Sequence, residues 1–194
     1  LANTGAANLQ LIDPAGSTYA ALLNAPNYRH VTGFYNRAVG AALAGSNEVQ
    51  VGWSADGDAE EWDPGVDETA GFSPILESPS DLSDFITGIF GFTNVMILLR
   101  EQSIWLATKK PIPTDPFNFY AVFPGIGCDI PSSVAVIPNG IAWVDSRPGT
   151  VWAYSPGGAP EPIGRPIEKT LLRGIDDPAL CFGSYNGKEN EYTI

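Results

Sequence analysis

Apolar residues along this chain come in short runs, each cut off by a turn built from glycine, proline, asparagine or aspartate. The runs fall at 37–43, 48–54, 95–100, 103–108, 133–137, 141–145 and 150–154. They are rich in Val, Ile, Phe, Tyr and Trp, side chains that suit a pleated and partly buried surface. Asp56-Gly57, Pro64-Gly65, Pro124-Gly125, Asn139-Gly140, Pro148-Gly149 and Asn186-Gly187 punctuate the sequence as turn dipeptides. "IAWVD" and "TVWAY" alternate apolar with small or polar positions, the period of a half-buried strand. "NVMILLR" is continuously apolar and reads as an inner strand covered on both faces. Only "DLSDFITGI" reads as helical, as one or two turns capped by Ser80. The pattern predicts an all-β chain.

Three hairpins share a further feature. "NRAVGAALAGSNEVQVGWSA", "LLREQSIWLATK" and "SSVAVIPNGIAWVDS" each run outward, turn, and return carrying a tryptophan: Trp53, Trp105 and Trp143. The intervals, 105 − 53 = 52 and 143 − 105 = 38 residues, bracket the ~40–50 residues of one four-stranded propeller blade. The expectation is therefore propeller-like: repeated four-stranded antiparallel blades, with Trp105 and Trp143 buried on corresponding strands. A β-sandwich is the alternative, although it gives no reason for an aromatic at a fixed place in each hairpin. Residues 1–194 are read as a single propeller or propeller section with room for about four blades or part-blades. The first residue is Leu1 and not Met, so a section of a longer chain is expected.

Composition narrows the function. Hydrophobic residues make up 44% of 194, enough for a sizeable core. The longest apolar stretch, around "FTNVMILL", is too short for a helix to cross a bilayer, and no membrane partner is expected. Lys and Arg total 10 against 22 Asp and Glu, a balance of 10 − 22 = −12. Gripping phosphates requires cations, so this balance disfavours a nucleic-acid-binding surface and suits one that DNA slides past. Any basic face would have to be drawn from Arg29, Arg37, Lys109, Lys110, Arg165 and Lys169. Cys128 and Cys181 form no metal-ligand pair and read as small hydrophobes in a reducing compartment, with a disulfide left open.

Candidate chemistry is sparse. "WSADGDAEEWD" nearly matches the aspartate box of sialidase-like propellers, but Gly57 comes one residue early and Trp62 is displaced. It reads as a turn closed by Asp56-Gly57 with Trp62 packed beneath. Asp56, Asp58, Glu60 and Asp63 invite a weak Ca²⁺ site, although Glu61 stands where an EF-hand needs glycine. His30, the single histidine, has no nucleophile motif near it and reads as a strand-edge residue. One histidine and two separated cysteines do not supply a zinc site. Asp56, Glu101 and Asp145 offer carboxylates without a spacing that selects a glycosidase pair. Arg37 and Arg100 each end an apolar strand and read as partners of carboxylates across the sheet. No catalytic, cofactor-binding or metal-binding set emerges, and a non-enzyme is expected.

Four pieces taken in order are similar to the β-propeller region of tail tubular (nozzle) proteins of short-tailed phages. They are "YRHVTGFYNRAVGAAL", "VQVGWSADGDAEEW", "FTNVMILLREQSIWLAT" and "GIGCDIPSSVAVIPNGIAWVDSRPGTVWAYSPGG", together covering much of residues 28–158. The most specific are the Arg100-Glu101-Gln102-Ser103-Ile104-Trp105 run and Gly127-Cys128 followed by Ser133-Val134. The resemblance implies a structural virion protein of a phage tail or neck, made in the host cytoplasm. It implies a homo-oligomeric ring, a hexamer, around the DNA exit channel, with adaptor and tail proteins as partners and DNA passing without tight binding. It carries over no catalytic residue. The acidic loop after Trp53 is shorter than the family pattern, and the regions that build the tube are not in this sequence. The alternative is a carbohydrate-binding or host-surface-recognising propeller, an adhesin or sialidase-like module. In that reading Trp62, Phe117, Phe119 and Tyr120 would be exposed and stack on sugars, whereas in a packed propeller the same aromatics fill blade-to-blade seams.

Overall fold

The computed structural model describes residues 24–77, 79–164 and 180–194, the strands at 10–12 and 19–21, and positions 169 and 177. Its centre is three consecutive four-stranded antiparallel meanders. The first contains β3 (Tyr28–Phe34), β4 (Arg37–Leu43), β5 (Asn47–Trp53) and β6 (Gly71–Pro74). The second contains β7 (Ile86–Gly91), β8 (Met96–Arg100), β9 (Ser103–Lys109) and β10 (Phe117–Pro124). The third contains β11 (Ala135–Ile137), β12 (Gly140–Asp145), β13 (Thr150–Tyr154) and β14 (Glu161–Pro162). Two-stranded hairpins flank them: β1 (Gln10–Ile12) with β2 (Tyr19–Ala21), and β15 (Ser184–Asn186) with β16 (Glu191–Thr193). Among the described residues no sheet closes on itself.

The sheets stack through their faces. Val39, Val51 and Trp53 of the first sheet pack in one apolar cluster with Met96, Leu98, Trp105 and Phe117 of the second. The opposite face of the second, Ile97, Leu99, Ile104 and Leu106, packs on Ile141, Trp143 and Tyr154 of the third. β8 therefore contributes alternate residues to two clusters and is buried along its whole length, the condition its continuous apolar run anticipates. β4 and β12, also second strands, are buried almost throughout for the same reason. The outer faces of the stack are covered as well. Tyr28 and Trp62 cap the first sheet, while Cys181 and Tyr192 lie over Ile130, Val144 and Val151 of the third.

Tyr28 is seated by missing side chains. Its ring lies across Gly40 and Gly52, which are register partners on β4 and β5, and a Cβ at either glycine would collide with it. The Trp62 ring then sits 5.7 Å from the Tyr28 ring. The fourth strands share a different device: β6, β10 and β14 all end on proline, which donates no ladder hydrogen bond and discourages a further strand.

Several expectations need correction. "DLSDFITGI" is not an α-helix: a 3-10 turn covers Pro79–Ser83 and the rest becomes β7. The apolar residues of that strand are claimed by the neighbouring sheet, where Ile86 and Ile89 are buried, and tertiary packing overrides local propensity. The side chain of Ser80 lies outside the described residues. Trp143 does not sit on the strand corresponding to Trp105. Trp53 and Trp105 are on third strands, β5 and β9, whereas Trp143 is on the second strand, β12. The third-strand tryptophan of the last sheet is Trp152, directly opposite Trp143 in register. The interval becomes 152 − 105 = 47 residues. Trp62 is buried, as its place beneath the Asp56-Gly57 turn anticipates, and Phe117 is buried with Phe119 and Tyr120 half-buried, which removes the sugar platform that the adhesin alternative requires of them. Their rings fill the outer face and the seam between sheets, where the apolar area is worth most.

Candidate functional site

The charged residues gather at the two ends of the stack, and each end has its own logic. At one end lie the turns joining second to third strands. Arg100 closes β8, and its side chain has no exposed surface. Its guanidinium donates to the carbonyls of Asp84 at 2.6 Å and Asp81 at 2.8 Å, with the Asp84 carboxylate 3.8 Å away. It also lies over the Trp105 ring, 5.2 Å from the centroid. The same Asp84 carboxylate accepts from the Gln102 amide at 2.7 Å and from Ser103 Oγ at 2.5 Å. Ser103 Oγ in turn accepts from Trp105 Nε1 at 2.9 Å. One carboxylate thus holds the reversal, and the buried indole completes the chain. In this run the charge of Arg100, the Gln102 amide and the Ser103 hydroxyl serve turn geometry.

The third sheet repeats the theme with other residues. Asp145 takes Arg147 in two hydrogen bonds of 2.9 Å, and the Asp129 carboxylate accepts from the Ser146 amide at 2.9 Å and from its hydroxyl. Glu101 sits between these groups. Burial and then the neighbouring Asp84 and Glu48 push its carboxyl above the usual range, with Arg147 opposing. Asp145 is buried against Arg147, and Asp56 accepts from Asn36, so both carboxylates are engaged in local contacts.

At the other end, Tyr35 and Asn36 make the two-residue turn between β3 and β4, both with positive φ, 46° and 61°. Asn36 donates to Asp56 at 3.2 Å, and its carbonyl accepts from Gly57 at 3.0 Å, so the Asp56-Gly57 turn hangs on this hairpin. The rest of the acidic loop caps its own backbone. Asp58 accepts from the Glu60 amide at 2.9 Å, Glu61 from Asp63 at 2.7 Å, and Asp63 from Gly65 at 2.7 Å. These carboxylates point at local amides and do not converge. Among the described residues no group of three or more His, Cys, Asp or Glu side chains is placed to hold a metal, so the Ca²⁺ possibility at residues 56–63 finds no ligand set.

Arg37 was expected to pair with a carboxylate. It is buried, but its guanidinium donates to backbone carbonyls instead: Ser54 at 2.7 Å, Thr69 at 2.5 Å and Pro113 at 3.3 Å. It therefore ties the first sheet to the loop after β9. His30 lies on edge strand β3, where burial and the nearby Arg29 lower its pKa to about 4. Cys128 and Cys181 are both free thiols, and burial pushes Cys128 up to about 12. Arg165 falls outside the described residues, and Lys169 is exposed. Asp84, the organiser of the first turn network, went unnoticed in the sequence. Its only signal is its place in a stretch that looked helical.

What the fold and these ends define is an all-β chain of face-stacked antiparallel meanders whose buried charges are committed to holding turns. No protein-family model matches the chain, and no curated protein does.

Proposed function

We propose that this chain is a section of a β-propeller in a structural virion protein of a short-tailed phage, placed in the tail or neck. Each four-stranded meander is one blade, and stacked blades form a rigid wall beside the DNA exit channel. Six copies assemble into the ring, adaptor and tail proteins bind it, and no step of catalysis is involved. The observation that carries this reading joins the two most specific motif pieces. The turn at Arg100-Glu101-Gln102 on the second sheet is met by Gly127-Cys128 leading into the third. Cys128 donates to the Arg100 carbonyl at 2.8 Å, Gly125 to the Gln102 carbonyl at 2.8 Å, and Trp143 Nε1 to the Gly127 carbonyl at 2.8 Å. The two motif pieces are thereby given a structural reason to occur together: the Cys128 and Trp143 bonds fasten one blade to the next, and the Gly125 bond extends the β9–β10 ladder to the turn. A charge of −12 suits a wall that DNA must pass. The test is the native mass by light scattering with electron microscopy of the particle. Rings of several copies are expected. A monomer that binds glycans would favour the adhesin or sialidase-like alternative.

A further inference from the structure

Beside the first sheet, a cleft of about 230 Å³ opens between the Tyr35-Asn36 turn and the loop that follows β9. Its floor is Arg37, which is only 7% exposed. Among the described residues no carboxylate lies within ion-pair distance of this guanidinium, and its partners are neutral carbonyls. Asp56 and Asp67 act on it only through space. A buried cation without a counter-ion is expensive, because neutral carbonyls replace only part of its lost hydration.

The rim adds more positive charge. Lys109 Nζ rests over the Tyr35 ring, 4.9 Å from its centroid, and makes no ion pair among the described residues. Lys110 also lines the cleft, paired with Asp115 at 2.6 Å. Asp56 is the one acidic lining residue; it accepts from the neutral amide of Asn36 and is outnumbered by Arg37, Lys109 and Lys110. The accessible walls are apolar, Pro111 and Ile112, with the buried Phe117 behind them. Tyr35 holds its place at positive φ, a conformation that asparagine or glycine adopts more readily. Its ring is fixed against Phe34, 4.5 Å between centroids, and presented to Lys109.

We infer that this cleft binds a small organic carboxylate, its charge set between Arg37 and Lys109 and its apolar body against Tyr35 and Ile112. The volume is several times that of a water molecule and suits a ligand of about ten non-hydrogen atoms. The anion would add a counter-charge at shorter range than Asp56 and Asp67, which favour the charged guanidinium only through space. This inference does not depend on the virion reading.

The test is an amide NMR titration of the whole chain with benzoate, using benzyl alcohol as the neutral counterpart. Benzoate is expected to give saturable shifts centred on Tyr35, Lys109 and Ile112, and benzyl alcohol to bind about tenfold more weakly or not at all. Lys109 is exposed, so Lys109→Gln leaves the fold intact. It should weaken benzoate about fivefold, while Lys109→Arg retains binding and Lys188→Gln, at the distant hairpin, changes nothing. Shifts that stay linear to ~50 mM, equal binding of the alcohol, or an unchanged Lys109→Gln titration would each overturn the proposal.

Discussion

The amide of Cys128 donates to the carbonyl of Arg100 at 2.8 Å, tying the chain entering the third sheet to the turn that closes β8 in the second. The approach is possible because Gly127 precedes it. A Cβ at Gly127 would fall 2.5 Å from the Arg100 carbonyl oxygen and the Gln102 amide nitrogen. The guanidinium of the same Arg100 is turned inward, toward Asp84 and Trp105. Backbone and side chain of one residue thus fasten two different neighbours, and the turn is rigid from both sides.

Asp84 is the part of this arrangement most exposed to test. Asp84→Ala removes the acceptor of Gln102 and Ser103 and leaves Arg100 without its nearest carboxylate. Because the cation stays buried, the loss should be about 3–5 kcal/mol by urea denaturation. A loss below ~1 kcal/mol would mean that the carbonyls of Asp81 and Asp84 alone hold the guanidinium.

The tryptophans divide into two groups. Trp105 and Trp143 are buried, and truncating either to Ala should cost roughly 3–5 kcal/mol. Trp152 occupies the strand position that corresponds to Trp105 but is only half-buried, and its truncation should cost less than about 2 kcal/mol. Equal losses for Trp105 and Trp152 would show that strand position, and not burial, governs their contribution.

His30 makes stability depend on pH. Its folded pKa of about 4 lies below the ordinary 6.5, so the unfolded chain binds the proton more readily between these values. The stabilisation is whole above pH 6.5, declines as pH falls toward 4, and is constant below. With a shift of this size the loss is of the order of 3 kcal/mol. Arg29 and the buried flank oppose protonation, while a hydrogen bond to the Ile86 backbone works weakly the other way. Other groups titrate in the same range, so the measurement is the difference between the parent and His30→Gln across pH 4–7. A constant difference would refute the assignment. No hydrolytic activity should be gained or lost in the variant.

Duplex DNA should not bind at physiological salt, with affinity weaker than the ~10⁻⁴ M end of non-specific binding. The structure supplies a reason beyond net charge. Arg37 and Arg100 are buried, Arg29 pairs with Glu48 at 2.5 Å, Arg147 with Asp145, and Lys110 with Asp115. Among the described residues only Lys109, Lys169 and Lys188 stand outside these pairs and the core, too scattered to track a phosphate backbone. Micromolar binding in a gel shift, weakening steeply with salt, would contradict this.

Sequence alone determined the all-β character, most inner strands and the hairpins between adjacent ones. Those features rest on local physics: side-chain alternation, β-branched and aromatic runs, and turns such as Asn139-Gly140. It also marked β8 as covered on both faces, because a continuous apolar run tolerates no wet side. Strand numbering within each sheet was decided elsewhere. The β11–β12 hairpin and the β8–β9 hairpin look alike locally, yet one joins first to second strands and the other second to third. Edge strands β6 and β10 escaped notice because half-exposed residues carry little periodicity. Asp84 became the organiser of a turn only when folding brought it to Gln102 and Ser103, 18 and 19 positions away. Buried charges need partners, and those partners are distant in sequence, so only the tertiary structure could assign the carbonyls of Ser54, Thr69 and Pro113 to Arg37.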